Sequence, residues 1–458
     1  MRAFARQMIE RMKAVAAAGA VAAFWLAVWV FVAALVAQPL ILPGPGAVVV
    51  ALLRLVCDAG TWAILAGSGA RILGGLALAA VCGVVMAGAS VRSLTFARLV
   101  APALSFVKAT PVACVVVLLL IWLGSARVSI AAVFLMALPG VYFSLVEGLT
   151  QVDQSLEQMF HLHGVRGWRL FCAHTWREVL PFVLSCARAV IGMSWKAGVA
   201  AELIGMATGT VGERIYQAKL LIETADLLAW TVLVVAASWA CERVLVWLLR
   251  ASGPVAWRTA VRAHGHGLRG RTGAASDGAA AELALAVGDR APWAPALDGL
   301  VLHVPAGGRT CVMGASGVGK STLLALAAGE CAPCSMVFQD VRLVEDASAL
   351  DNVLVCADAR VDASSAAALL RLLAPGIDVH ARVAELSGGQ RRRVEIARAL
   401  LCPGGAVILD EPFTGLDIAA RDACAEVVLD LLDGRMLLLA THDAADARAL
   451  DISDIITL

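Results

Sequence analysis

The sequence predicts an all-α polytopic membrane domain of six transmembrane helices followed by an α/β domain. Three observations predict it. Of the 458 residues, 60% are hydrophobic and only 16% charged, with a mean hydropathy of +0.81, whereas soluble chains carry roughly 25% charged residues. The apolar excess lies before Arg250, where six runs are long enough to cross a bilayer. Beyond it a glycine-rich loop stands between a strand-like and a helix-like segment. Lys plus Arg total 37 against 36 Asp plus Glu, a balance that excludes a strongly basic nucleic-acid binder and an acidic disordered chain. Twelve scattered cysteines read as small buried hydrophobes, and no structural disulfide is expected.

The first span, Ala14–Ala37, runs 24 residues without a charge, enough for the roughly 20 that a helix needs to cross the hydrocarbon. Basic residues precede it, but the run exceeds a signal-peptide core and reads as an uncleaved anchor. Further spans are placed at Ile72–Ala89, Leu99–Leu123, Ser129–Val146, Pro181–Met206 and Leu227–Leu249. Between the first two, Leu42-Pro43-Gly44-Pro45 reads as an extracytoplasmic turn and Ala47–Val56 as a short amphipathic helix. Lys108 and Glu202 are the notable ionisable residues near spans; Glu202 reads as a carboxylate at a wet helix end, with a gate or solute contact as the alternative. Arg2, Arg6, Arg11 and Lys13 before the first span, Arg92 and Arg98, then Arg166, Arg169 and Arg177, mark one side as basic, so both termini are expected in the cytoplasm. The boundaries are 1–250 for the membrane domain, 251–278 for a flexible basic linker and 279–458 for the α/β domain. His264 and His266 in that linker read as solvated.

Arg309–Met313 is a buried-strand pattern leading into Gly314-Ala315-Ser316-Gly317-Val318-Gly319-Lys320-Ser321-Thr322, and a helical pattern follows. This is the setting of a P-loop. Gly314, Gly317 and Gly319 let the backbone wrap phosphates, with Ser316 and Thr322 in the same cradle; Lys320 reaches the β- and γ-phosphates, and Ser321 can ligate Mg²⁺. A second buried strand, Ala406–Leu409, ends in Asp410-Glu411. Asp410 is expected to hold Mg²⁺, and Glu411 to polarise the attacking water.

Leu386-Ser387-Gly388-Gly389-Gln390 opens a helix between them. With the P-loop before it and Asp410-Glu411 after it, this string resembles the nucleotide-binding domain of ATP-binding cassette transporters. The resemblance implies an α/β P-loop ATPase with a helical subdomain. It implies that Ser387, Gly388 and Gly389 bind the γ-phosphate held by an opposite subunit, and that Gln339 senses Mg²⁺ and attacking water while leading to the membrane-contacting subdomain. It further implies that His442 contacts the γ-phosphate and that Gly415-Leu416-Asp417 crosses the dimer interface. Two departures stand out. Lys320 and Gln339 are only 19 positions apart, about half the usual spacing, so a strand pair is trimmed and replaced by Gly329–Cys334; Cys331 and Cys334 have metal spacing but no second pair. The adenine-stacking aromatic is also displaced: Trp293 is the nearest candidate, with Val287 at the other position.

Glu157–Gly164, followed by Leu180-Pro181, resembles the coupling loop of importer permeases, in which Gly164 would permit a sharp turn. The permease resembles the sulfonate, taurine, nitrate and pyrimidine-precursor uptake group at Leu42–Pro45, Thr110–Ala113, Ile121–Gly124 and Gly148–Asp153. That resemblance implies a multi-pass protein of the cytoplasmic (inner) membrane, a homodimer completing the two-plus-two assembly, a separate extracytoplasmic solute-binding protein, alternating access, and no nucleic-acid partner. An exporter half-transporter and an ATP-driven membrane regulator stay open as alternatives.

Overall fold

A computed structural model describes residues 2–263, 282–287 and 294–458. The chain divides into two compact units, one formed by Met1–Gln151 with Val179–Ala251, the other by Val152–Glu178 with Ser252–Leu458. The loop between the fourth and fifth spans therefore groups with the α/β part, not with the helices on either side of it.

In the first unit the helices are α1 (Arg2–Val36), α2 (Pro45–Cys57), α3 (Ala59–Arg92), α4 (Leu94–Ala109), α5 (Val112–Leu123) and α6 (Ser125–Thr150). After α7 (Gln154–Leu162) and α8 (Gly167–Leu170) come α9 (Trp176–Gly205), α10 (Val211–Leu220) and α11 (Thr224–Arg262). Among the described residues five helices are long and apolar enough to span a membrane, or six when the bent pair α4 and α5 is taken as one span. That pair corrects the expected continuous span Leu99–Leu123: the axes turn by 103° at the break. Pro111 is the cause, because it lacks an N–H and its ring drives the preceding residue out of the helical region; Thr110 is extended, at φ −76° and ψ 131°.

Small residues let α3, α6 and α9 approach closely, the usual basis of helix packing where lipid offers no hydrophobic drive. A methyl on Gly75 would stand 2.5 Å from the carbonyl of Ile130, and one on Gly198 would stand 2.5 Å from Ile72 Cγ1. A methyl on the adjacent Gly74 would meet nothing within 4 Å. Gly75→Leu is therefore expected to cost about 1–3 kcal/mol or more by overpacking, read as a lower thermal midpoint of the purified chain, while Gly74→Leu is tolerated; equal midpoints for the two would refute the packing argument.

Glu202 is fully buried, which corrects its reading as a wet helix end. It accepts from Ser68 Oγ at 2.8 Å and lies 3.6 Å from Arg71 Nη1, and Ser68 Oγ in turn accepts from the Val211 N–H at 3.0 Å. An unpaired charge at this depth costs about 2.5–3.5 kcal/mol, so Arg71 and Ser68 are what make the burial tenable.

In the second unit β1 (Leu283–Ala286) and β2 (Val301–Val304) form an antiparallel pair. There follow β3 (Arg309–Met313), α12 (Lys320–Glu330), β4 (Ser335–Val337), α13 (Ala349–Leu354), α14 (Ala363–Leu373), α15 (Gly388–Leu401), β5 (Ala406–Asp410), α16 (Ile418–Leu431), β6 (Met436–Thr441), α17 (Ala444–Ala449) and β7 (Asp454–Thr457). The five-stranded sheet has the order β4-β5-β6-β3-β7, every pair parallel. Its central strands are buried on both faces, as their unbroken apolar runs require. β4 has only three residues and follows the end of α12 after four, which is the physical form of the trimmed segment.

The expected linker from Ala251 is corrected as well. α11 continues to Arg262 because its last turns are anchored: Trp257 and Ala260 are buried, and Trp257 Nε1 donates to Asp351 at 3.2 Å. The rest of that linker, with His264 and His266, lies outside the described residues, as does Trp293.

Candidate functional site

The P-loop runs from the end of β3 to the start of α12, where Gly317 and Gly319 have φ of +82° and +113°. Those left-handed values suit glycine alone among common residues. Lys320 is the first residue of α12, 6% exposed, and its ammonium donates to the carbonyls of Gly314 at 2.8 Å and Ala315 at 3.1 Å. The same Nζ lies 4.0 Å from Glu411 Oε1. Glu411 follows the last residue of β5 and sits at φ +46°, a strained value for a non-glycine residue, fixed by its N–H donating to the Ala440 carbonyl at 2.9 Å. That turn brings its carboxylate within 3.2 Å of His442 Nδ1, just beyond β6. Three groups far apart in sequence thus converge: a buried cation, a half-buried carboxylate and an exposed imidazole.

Asp410 lies at the buried end of β5, and burial pushes its carboxyl above the usual range, opposed by the Ser321 hydroxyl. Its Oδ1 is buried with no hydrogen-bond partner among the described residues. Ser321, Asp410 and the exposed Gln339 line one cavity of about 480 Å³. An orphaned carboxylate oxygen beside a hydroxyl and an amide is the oxygen-rich donor set that Mg²⁺ takes, so these residues fit the ion.

Ser387 caps α15 with a reciprocal box: its Oγ accepts from Gln390 N at 3.3 Å, and Gln390 Oε1 accepts from Ser387 N at 3.0 Å. Ser387 and Gly388 are exposed at this positive helix end. Gly389 lies beside the Gly415-Leu416 loop, a methyl there standing 3.4 Å from Leu416. Val287 is 1% exposed, packed in the core, and so is excluded from stacking on a base.

The loop around Gly164 packs into the α/β part. Met159 and Phe160 of α7 are buried in one cluster with Cys334, Met336 and Phe338. The Leu162 carbonyl accepts from Cys334 N at 3.0 Å, and the Ser155 carbonyl accepts from Arg342 Nη1 at 3.2 Å. Arg169 Nη2 donates to the Val355 carbonyl at 2.6 Å. Gly164 takes φ +77°, with Pro333 3.6 Å from where its side chain would begin. Trimming the segment after α12 has thus brought Pro333 and Cys334 against the loop. Among the described residues the Glu157 carboxylate makes only an exposed pair with His161 at 3.8 Å; its neighbours make the contacts.

His163 in this loop is 2% exposed, its Nδ1 2.7 Å from the Met159 carbonyl and its Nε2 without a partner among the described residues. Burial, reinforced by Arg398, pushes the imidazole down to about 3. The unfolded chain takes up a proton near pH 6.5 that the folded chain refuses, so stability present above pH 6.5 is lost as pH falls toward 3. About 2 kcal/mol should be gone by pH 5. His163→Gln should flatten the fall of the thermal midpoint between pH 7 and 5; parallel profiles would exclude this origin.

Sequence reasoning missed the buried charges of α15. Arg392, Glu395 and Arg398 are spaced i, i+3, i+6 and at most 5% exposed. Arg392 Nη2 donates to the Gln339 carbonyl at 2.5 Å, Arg398 Nη1 donates to the Arg342 carbonyl at 2.6 Å, and Glu395 Oε1 accepts from Arg342 N at 2.6 Å. They hold both the Gln339 backbone and the arginine that reaches Ser155. Charges interleaved with Val394, Ile396, Ala397 and Leu400 on one helix were the available signal.

Fold and site together define a multi-pass membrane protein carrying its own P-loop ATPase domain. Residues 297–414 match the family described as ABC transporter, and residues 79–255 that described as binding-protein-dependent transport system inner membrane component. The aliphatic sulfonates import ATP-binding protein SsuB 1 of Rhizobium johnstonii is 37% identical over 175 residues, which cover 33% of this chain and 64% of that protein. The aliphatic sulfonates import ATP-binding protein SsuB of Escherichia coli K12 is 38% identical over 177 residues, covering 34% and 68% respectively. The chain thus spans about two thirds of the length of these relatives. The post-hydrolysis dimer of the ATP-binding cassette MJ0796, bound to ADP and Pi, matches 36% of this chain and 86% of its own at 24% identity and a TM-score of 0.32. The chain belongs to the ATP-binding cassette transporter family, joining an importer-type permease domain to an ATPase domain.

Proposed function

We propose that the chain is the fused subunit of an ATP-driven importer that moves a small solute across the cytoplasmic membrane by alternating access. Two copies supply two permease and two ATPase domains, both termini lie in the cytoplasm, and a separate extracytoplasmic protein delivers the solute. The observation that carries this reading is the Gly164 loop seated among Cys334, Arg342 and Val355 of the ATPase. A loop held by both backbone and arginine contacts moves when that surface moves. The relatives named for sulfonate import support the direction and a sulfonate-like solute.

In this mechanism Lys320 and the P-loop amides bind the β- and γ-phosphates of ATP, and Ser387 of the partner copy closes over them. Glu411 accepts the proton of the attacking water, while His442 orients that carboxylate and contacts the γ-phosphate. Mg²⁺, held by Ser321 and Asp410 with Gln339 beside it, supplies charge neutralisation on the phosphates when bound. Arg392, Glu395 and Arg398 tie the Gln339 segment to α15, so domain closure is transmitted through Arg342 to Ser155.

The direction is tested with radiolabelled ethanesulfonate and the co-purified receptor in oriented membrane vesicles. ATP-dependent accumulation in right-side-out vesicles supports import; accumulation in inverted vesicles alone overturns it in favour of an exporter. ATP turnover with movement of neither ethanesulfonate nor any other receptor-bound solute indicates a membrane regulator.

A further inference from the structure

The solute class has a residue-level signature in α9, on the reading that two copies form an importer. One half of this helix packs on α3 and α6: Val190, Ile191, Trp195, Gly198, Ala201 and Glu202 are buried. The opposite half carries Ser185, Arg188, Met193, Lys196 and Ile204, all exposed. Arg188 and Lys196 are eight residues apart, about 80° around the helix and about 12 Å along it, so both belong to this half. They stand 12 and 20 residues from Trp176 in a helix of 30 residues, about 18 and 30 Å along its axis. Both cations thus lie in the membrane-spanning stretch. Neither has an ion-pair or hydrogen-bond partner among the described residues, in contrast with Arg71, which has Glu202. The exposed half of α9 carries no acid from Pro181 to Ile204.

Hydrocarbon is excluded as the environment of this face, because membrane-embedded charges turn to a partner or to water. A partner copy that laid its own α9 against this face across a two-fold axis would bring the same cations. Such face-to-face contact cannot neutralise them, and a dry one would be repulsive. A water-filled path whose counter-charge is the traveller satisfies both cations. Lys108 adds a further exposed cation at the corner between α4 and α5, a broken span of the kind that lines solute paths. We propose that Arg188 and Lys196 line the solute path of the paired permeases and select small oxyanions, sulfonate-like or nitrate-like, over uncharged solutes.

The test uses the full chain in lipid nanodiscs, with exposed Cys57 and Cys114 replaced by serine and that parent subtracted as baseline. Lys196→Cys is compared with Val235→Cys, a position 62% exposed on the apolar helix α11. The probes are sulfonatoethyl methanethiosulfonate and its trimethylammonioethyl analogue. The Lys196→Cys variant is expected to react with the sulfonate probe at least about tenfold faster than the Val235→Cys variant, with an anion preference that falls several-fold when Arg188→Gln is added. A rate as slow as that at the α11 position, or an anion preference unchanged by Arg188→Gln, overturns the proposal. ATP turnover is followed in the same samples: wild-type turnover with an unreactive Lys196→Cys variant sinks this inference alone, whereas a wild-type chain that hydrolyses no ATP sinks the importer reading.

Discussion

Glu411→Gln is expected to lower ATP turnover of the purified full chain by about 10²–10⁴-fold, the range that a positioned general base contributes, while ATP binding persists. The geometry makes the loss specific to chemistry. The Glu411 carboxylate stands 3.2 Å from His442 Nδ1 and 4.0 Å from the Lys320 ammonium, and its φ of +46° is fixed by the hydrogen bond to the Ala440 carbonyl. Glutamine is isosteric, so the turn and the P-loop contacts of Lys320 with Gly314 and Ala315 remain. Only the basic oxygen is lost. Phosphate release and retention of a fluorescent ATP analogue separate the two effects. Turnover within tenfold of wild type would remove Glu411 from the role of base, and loss of nucleotide binding would mean that the substitution had disturbed the P-loop.

Local signals carried most of this arrangement in the sequence. The P-loop, the Ser387 cap and the end of β5 each declare themselves within about ten residues, because helix capping and buried strands are written in consecutive side chains. The broken third span was marked by Thr110-Pro111, yet apolar length alone favoured a continuous helix. Windowed hydropathy is blind to a turn of 103°. The helical continuation to Arg262 was hidden because Ser252-Gly253-Pro254 looks like a breaker, while the force that overrides it is tertiary: the buried ring of Trp257 and its bond to Asp351. Glu202 failed in the same way, since its partners Ser68 and Arg71 lie more than 130 positions away. Long-range compensation of charge is what a single sequence conceals.

The buried charges of α15 give the other large effect: Glu395→Ala is expected to destabilise the ATPase domain by about 3–5 kcal/mol, the cost of stripping one partner from a buried ionic group. Glu395 is fully buried and accepts at once from Arg342 N at 2.6 Å, from Arg392 Nη1 at 3.0 Å and from Arg398 Nη2 at 3.5 Å. Removing it leaves two guanidiniums, 5% and 0% exposed, facing each other's charge, and an amide without its acceptor. Since domains of this size are stable by only about 5–15 kcal/mol, the thermal midpoint should drop by about 10 °C. The double variant Glu395→Ala with Arg398→Met should recover part of the loss, because one uncompensated charge has then been replaced by apolar volume. The same pair bears on coupling, as Arg398 holds the Arg342 carbonyl and Arg342 reaches Ser155. Where the double variant is folded, its solute moved per ATP should remain below wild type. A single variant as stable as wild type would show that the triad is neutralised by some other group, and full recovery of coupling in the double variant would remove Arg398 from the path between the Gln339 segment and the Gly164 loop.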